Sequence, residues 1–185
     1  MIKRFKCEKK FISRGILFLV FAGVTLAGCG SNLSSKVDAN NEENIRLKDY
    51  FNWTPVLKGD KAFPSAGHGG ITVKSYINPI AKTHVDNSEN PFPLPEGSEL
   101  AKAVISAEGT SSKDATRVYF MRKEKAGFDS ANGDWSYALA TRVNGALVFD
   151  PSVKPREALC VSCHSKFAEF DYVKTIDIYK KQKPM

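Results

Sequence analysis

Trp135-Ser136-Tyr137-Ala138-Leu139-Ala140-Thr141-Arg142-Val143-Asn144-Gly145-Ala146-Leu147-Val148-Phe149 reads as two strands and the turn between them. Asn-Gly is the residue pair favoured where both central positions of a two-residue turn need positive φ, so Trp135–Arg142 and Ala146–Phe149 are expected to form an antiparallel hairpin. Working outward, Ala115–Arg122 is rich in β-formers, and Glu99–Ser106 forms a further strand. Ile71, Val73 and Ile77 alternate with Thr72, Lys74 and Tyr76, the pattern of a half-buried strand. Asn78-Pro79 ends it, and Pro79 suits the first turn of a short helix through Val85. Residues 86–97, with Pro91, Pro93 and Pro95, and residues 124–134 are loops. The stretch Asn44–Leu57 is short helix or irregular, with Tyr50, Phe51 and Trp53 facing the core. After Pro151 and Pro155 a helix is expected over Arg156–Lys166, then a last helix or extended tail beyond Asp171. The fold class is therefore α+β, mainly antiparallel β-sheet with a few short helices.

Within the expected helix lies Cys160-Val161-Ser162-Cys163-His164. C-x-x-C-H is the pattern for covalent attachment of a c-type haem. Two thiols add to the two vinyl groups of one porphyrin, and the adjacent His supplies an axial nitrogen to the iron. The chain is thus expected to carry one haem c, packed against the sheet, with Cys160 and Cys163 as thioether anchors and His164 as the iron ligand. A structural zinc site would need about four ligands. Only His68 and His84 remain as other imidazoles, and there is no second C-x-x-C. A thioredoxin-like dithiol would sit early in a βαβ unit, whereas this motif is late.

The opposite end carries Lys3, Arg4, Lys6, Lys9, Lys10 and Arg14 against the single acid Glu8, followed by the apolar run Ile16–Gly28. A basic head, a short apolar run and small residues at its end read as a secretory signal. The run is shorter than the about 20 residues of a membrane span. Leu26-Ala27-Gly28-Cys29 resembles a bacterial lipobox, in which Cys29 would take lipid and anchor the chain without spanning the membrane. Residues 1–28 are read as this signal, 29–43 as a polar tether, and 44–185 as the haem domain. The expected location is the periplasmic side of a bacterial membrane. Gly30, where an inner-membrane retention signal would have Asp, favours the outer membrane. Removing the signal takes six of 27 basic and one of 20 acidic residues, leaving 21 against 19. The high isoelectric point belongs mostly to the leader and does not point to nucleic acid.

Several further pieces stand in one order: His68-Gly69; Tyr76-Ile77-Asn78-Pro79; Phe92-Pro93-Leu94-Pro95-Glu96-Gly97-Ser98 running into Lys102; Met121-Arg122-Lys123-Glu124; Gly127-Phe128-Asp129; Asn132-Gly133-Asp134-Trp135; the C-x-x-C-H; and Asp171-Tyr172-Val173. In this order, over roughly Gly67 to Lys174, the chain resembles the cytochrome P460 family, which includes the β-sheet cytochromes c′. The resemblance implies an antiparallel sheet with one c-type haem, a five-coordinate iron with a proximal His, and often a homodimer. Cytochromes P460 oxidise hydroxylamine and carry an extra bond from a Lys to the porphyrin edge. The β-sheet cytochromes c′ lack that bond and bind gases such as nitric oxide.

Lys102 stands at the position of the cross-linking Lys. Strand alternation sets it between Leu100 and Val104, where a charged amine is costly to bury; the alternative is a Lys snorkelling at a sheet edge. Distal groups would come from Ala115–Arg122, with Val118 and Phe120 on one side and Tyr119 and Met121 on the other. Glu157 is either a proton relay near the haem or a first-turn helix carboxylate. Trp135 and Asp171 are expected to hold structure. Two functions on a small nitrogen species follow, hydroxylamine oxidation or nitric oxide binding, with a periplasmic redox partner. A plain electron carrier would instead need a sixth ligand, from Met121, His68 or His84.

Overall fold

The computed structural model describes residues 46–107 and 110–182. The expected signal, tether and Cys29 lie outside them. Among the described residues are seven strands: β1 (Thr54–Pro55), β2 (Phe63–Ser65), β3 (Ile71–Ile77), β4 (Glu99–Val104), β5 (Arg117–Lys123), β6 (Trp135–Val143) and β7 (Ala146–Phe149). They form one antiparallel sheet in the order β1-β3-β4-β5-β6-β7, with β2 paired to β3 beside β1. Helices α1 (Pro79–Asn87), α2 (Ala158–His164) and α3 (Lys174–Lys181) accompany it.

The Asn-Gly turn forms as expected, with Asn144 at φ 49° and Gly145 at φ 83°. It sets the register Val143↔Ala146 through Ala140↔Phe149. Other boundaries shift by one to three residues. Strand β4 ends at Val104 rather than Ser106, and α1 runs two residues past Val85. The expected helix Arg156–Lys166 is shortened to Ala158–His164, because a 3-10 segment, Ser165–Phe170, takes over after His164.

One expectation needs correction. Strand β3 is not half-buried: Val73, Lys74, Ser75, Tyr76 and Ile77 are all buried. As an inner strand it is covered on both faces, so alternation in its sequence does not become alternation in exposure. One face carries Tyr76, Ala101, Ala103, Val118, Phe120 and Ala140, closed over by Tyr50 with Phe51 and Trp53 packed alongside. The alanines let the rings approach the sheet, and Tyr50 meets Phe120 edge-on at 5.8 Å. The Tyr50 hydroxyl donates to the Ser112 carbonyl, and burial pushes its pKa up to about 12. The other face carries Ile77, Leu100, Met121, Trp135 and Tyr137, covered by Ala81 and Val85 of α1, Leu94, and Val173, Ile176 and Tyr179.

Asn78 joins these parts. Its side-chain oxygen accepts from Ala81 N at 3.0 Å, capping α1, and from Glu99 N at 3.1 Å, while its amide donates to the Gly97 carbonyl at 2.8 Å. Replacing Asn78 with Ala removes a helix cap and strands buried backbone groups at the start of β4. A loss of about 2–3 kcal/mol in urea unfolding is expected; a loss below about 0.5 kcal/mol would show that water replaces the side chain.

Candidate functional site

The second face is closed over only part of its area. Register places Ser75, Lys102, Tyr119 and Leu139 side by side across β3, β4, β5 and β6. Lys102, Val104, Tyr119 and Leu139 are half-buried, whereas Ala101, Ala103, Val118 and Ala140, behind them on the other face, are fully buried. The sheet thus has one sealed side and one side with an open bay.

Lys102 forms part of the floor of this bay. It lies on an inner strand, so the sheet-edge alternative does not hold. Burial lowers the pKa of its amine, with no carboxylate set against it among the described residues. An amine that loses hydration without gaining a counter-charge shifts toward its neutral form.

Helix α2 borders the bay. The His164 ring lies 5.5 Å from the Tyr137 ring, and Cys160 and Val161 pack against the core on this face. Cys163 is exposed, Cys160 is half-buried, and both are free thiols. Burial is the main cause of the raised Cys160 pKa, with the Glu157 charge adding to it. Glu157 caps α2 through a long contact from Leu159 N at 3.4 Å, a place compatible with either reading of this carboxylate. His164 Nδ1 lies 2.8 Å from the Tyr172 carbonyl. A carbonyl only accepts, so Nδ1 carries the hydrogen and Nε2 is left with its lone pair. Burial is the leading cause that lowers the His164 pKa, and the Lys102 charge acts in the same direction.

Tyr172 reaches this position through an unusual turn. Asp171 and Tyr172 both have positive φ, 48° and 67°, and Asp171 is 6% exposed. Its carboxylate accepts from Leu94 N at 2.8 Å, Lys123 Nζ at 2.6 Å and Trp135 Nε1 at 3.4 Å. Trp135 and Asp171 therefore hold structure, as expected. Gly133, at φ 69°, makes room for the Tyr172 ring, which an added Cβ there would strike.

The candidate distal side chains divide. Val118 and Phe120 belong to the sealed face, because strand parity turns them away from Lys102. Tyr119 lies in the bay, and Met121 is packed in the core beside Leu100. His84 is on α1, away from these residues, with its Nε2 buried and without a partner among the described residues. His68 was foreseen as a piece of the family resemblance and as a possible sixth ligand of an electron carrier; its ring lies 4.5 Å from that of Tyr119. Ser75 and Tyr137 were not singled out for the site. Their hydroxyls are buried on this face and lack partners among the described residues. Only cross-strand register brings them to the bay, and the long β4–β5 connection conceals register from the sequence.

An apolar floor, a buried amine with no carboxylate against it among the described residues, two orphaned hydroxyls and two thiols beside a His with a free Nε2 fit a flat, largely apolar group with a metal at its centre. Such buried polar atoms call for partners outside the chain. Among the described residues, no three His, Cys, Asp or Glu gather to hold a bare metal ion. The cytochrome P460 family model matches residues 47–175, and the chain belongs to that family. The match begins some 20 residues before the motif resemblance, taking in Tyr50 and the sealed face. No curated protein matches the chain. Family membership makes this a haem cytochrome.

Asp171→Asn tests the turn that aims His164. It leaves Lys123, whose side chain is 11% exposed, charged without its partner, and a loss of about 3–5 kcal/mol is expected in chemical denaturation. Lys123→Met in the same chain should recover part of that loss; additive losses would mean that the pair does not act as a unit.

Proposed function

From its place in the cytochrome P460 family, we propose that this protein is a mono-haem c-type cytochrome with a five-coordinate iron that acts on a small nitrogen species. Cys160 and Cys163 would form the thioethers, and His164 Nε2 would ligate the iron. The observation that carries this reading is the hydrogen bond from His164 Nδ1 to the Tyr172 carbonyl, 2.8 Å long. It fixes the tautomer and ring orientation that a metal-bound imidazole needs, a second-shell role that also raises ligand basicity. Bound haem supplies an iron that exchanges electrons and takes small nitrogen ligands. The chain does the rest: Ala101 and Ala103 hold the sealed face tight behind the bay, and Tyr119 and Leu139 keep its floor apolar. Glu157, beside Cys160, is the lesser candidate for moving protons.

Lys102 favours hydroxylamine oxidation over simple nitric oxide binding. Its amine is pushed toward the neutral, nucleophilic form by burial. A bond from Nζ to a porphyrin edge carbon would replace one N–H and one C–H, with loss of two protons and two electrons, and an oxidant of the peroxide class would have to accept the electrons. Electrons from substrate pass to a periplasmic redox partner. We place the protein on the periplasmic side of a bacterial membrane, outer rather than inner, held by lipid on Cys29 and acting as a homodimer.

Intact mass and the ferrous optical spectrum of the haem-loaded protein, compared with Lys102→Ala, test the reading. A Soret band displaced far to the red and lost in the variant, with porphyrin retained on a Lys102 peptide, is the expected result. An ordinary five-coordinate spectrum that the variant leaves unchanged would remove the cross-link and leave a gas-binding protein. A six-coordinate spectrum would instead mark an electron carrier.

A further inference from the structure

Two imidazoles stand over the open bay, and their chemistry is opposite. His164 approaches from α2 and His68 from the 3-10 turn Ala66–His68, which Gly69 closes at φ 74°. His164 is set against Tyr137 and His68 against Tyr119. The register pairs Tyr119 with Leu139 and Met121 with Tyr137, so the two tyrosines are diagonal neighbours about 7–8 Å apart on the same face. Register sets Lys102 directly beside Tyr119, the ring that His68 meets. The three groups therefore close on one space.

Their Nδ1 atoms have different partners. His164 Nδ1 faces a carbonyl and must donate. His68 Nδ1 lies 2.8 Å from Ser65 Oγ, and Ser65 is 5% exposed. No other hydrogen bond engages that hydroxyl among the described residues. A buried hydroxyl that can donate to only one acceptor donates to it. Ser65 Oγ–H therefore points to His68 Nδ1, which leaves the hydrogen of the neutral ring on Nε2. Desolvation, reinforced by Lys102 and His164, pushes the His68 pKa down to about 4, consistent with a neutral ring. An Nε2 that carries hydrogen has no lone pair for a metal but is a donor.

We propose that His68 is the ligand-positioning residue of this cytochrome: its Nε2–H donates a hydrogen bond to the small ligand held at the iron's open position, and Ser65 sets the tautomer that makes this possible. The inference rests on the haem reading above and goes beyond it. It assigns the two histidines separate roles, one a ligand through a bare nitrogen and the other a donor through an N–H. It also explains why a second imidazole beside the iron leaves the sixth position free.

The test uses the haem-loaded full chain and begins with haem content, measured by mass and by pyridine haemochrome. A chain that takes no haem on Cys160 and Cys163 overturns the haem reading and this proposal together. With haem bound, the infrared C–O stretch of the ferrous carbonyl adduct and the affinity of ferric protein for cyanide report on the donor. In His68→Leu the stretch is expected to rise and cyanide to bind roughly tenfold more weakly, the worth of one hydrogen bond. Ser65→Ala, which frees the tautomer, should move both in the same direction by less. His68→Gln, which keeps an N–H, should lie near wild type, and with Ser65→Ala it carries the test if His68→Leu fails to load haem. Unchanged stretch and affinity in the variants overturn the proposal. So does a wild-type low-spin spectrum that His68→Leu converts to high spin, since His68 would then be a ligand.

Discussion

The carboxylate of Asp171 is the constraint on which most of this molecule depends. It joins the Leu94 loop, Lys123 on β5 and Trp135 on β6 to the turn that follows the C-x-x-C-H motif. Two successive residues with positive φ, neither of them glycine, cost conformational energy and persist because these three donors hold Asp171 in place. The turn in exchange delivers a backbone carbonyl to His164. Charge-assisted hydrogen bonds are about twice as strong as neutral ones, which suits a contact that must fix both a fold and a tautomer.

The sheet separates stability from chemistry. Its sealed face packs Tyr50, Tyr76 and Phe120 on alanines and needs nothing from outside the chain. Its second face is sealed at one end by α1 and α3 and left half-open around Lys102, Tyr119 and Leu139. Polar groups that would be faults in a closed core, among them the Ser75 and Tyr137 hydroxyls, collect at that open end. Groups left in this way call for partners outside the chain.

Much of the fold was legible because local rules govern it. Asn144-Gly145 permits one kind of turn, Pro79 after Asn78 starts a helix, and strand runs bounded by prolines and glycines leave few alternatives. The C-x-x-C-H motif was legible from its spacing, and Lys102 was singled out by its place in the family resemblance. Burial of Lys74 and Tyr76 was not, since a central strand loses its alternation once both faces are covered. Nor was the division of Val118 and Phe120 from Tyr119, which needs the register between β4 and β5. The role of Asp171 depends on a left-handed conformation that neither Asp171 nor Tyr172 advertises. His68 was visible as a residue but not as a neighbour of Tyr119, because the turn that carries it crosses over strands distant in the chain.

Helix α2 contains no buried residue, and Leu159 within it is 73% exposed. It meets the core through Cys160 and Val161, and so few buried contacts let its hydrogen bonds break at a free energy below that of global unfolding. The segment bearing both thiols is thus held by fewer buried contacts than the sheet it rests on.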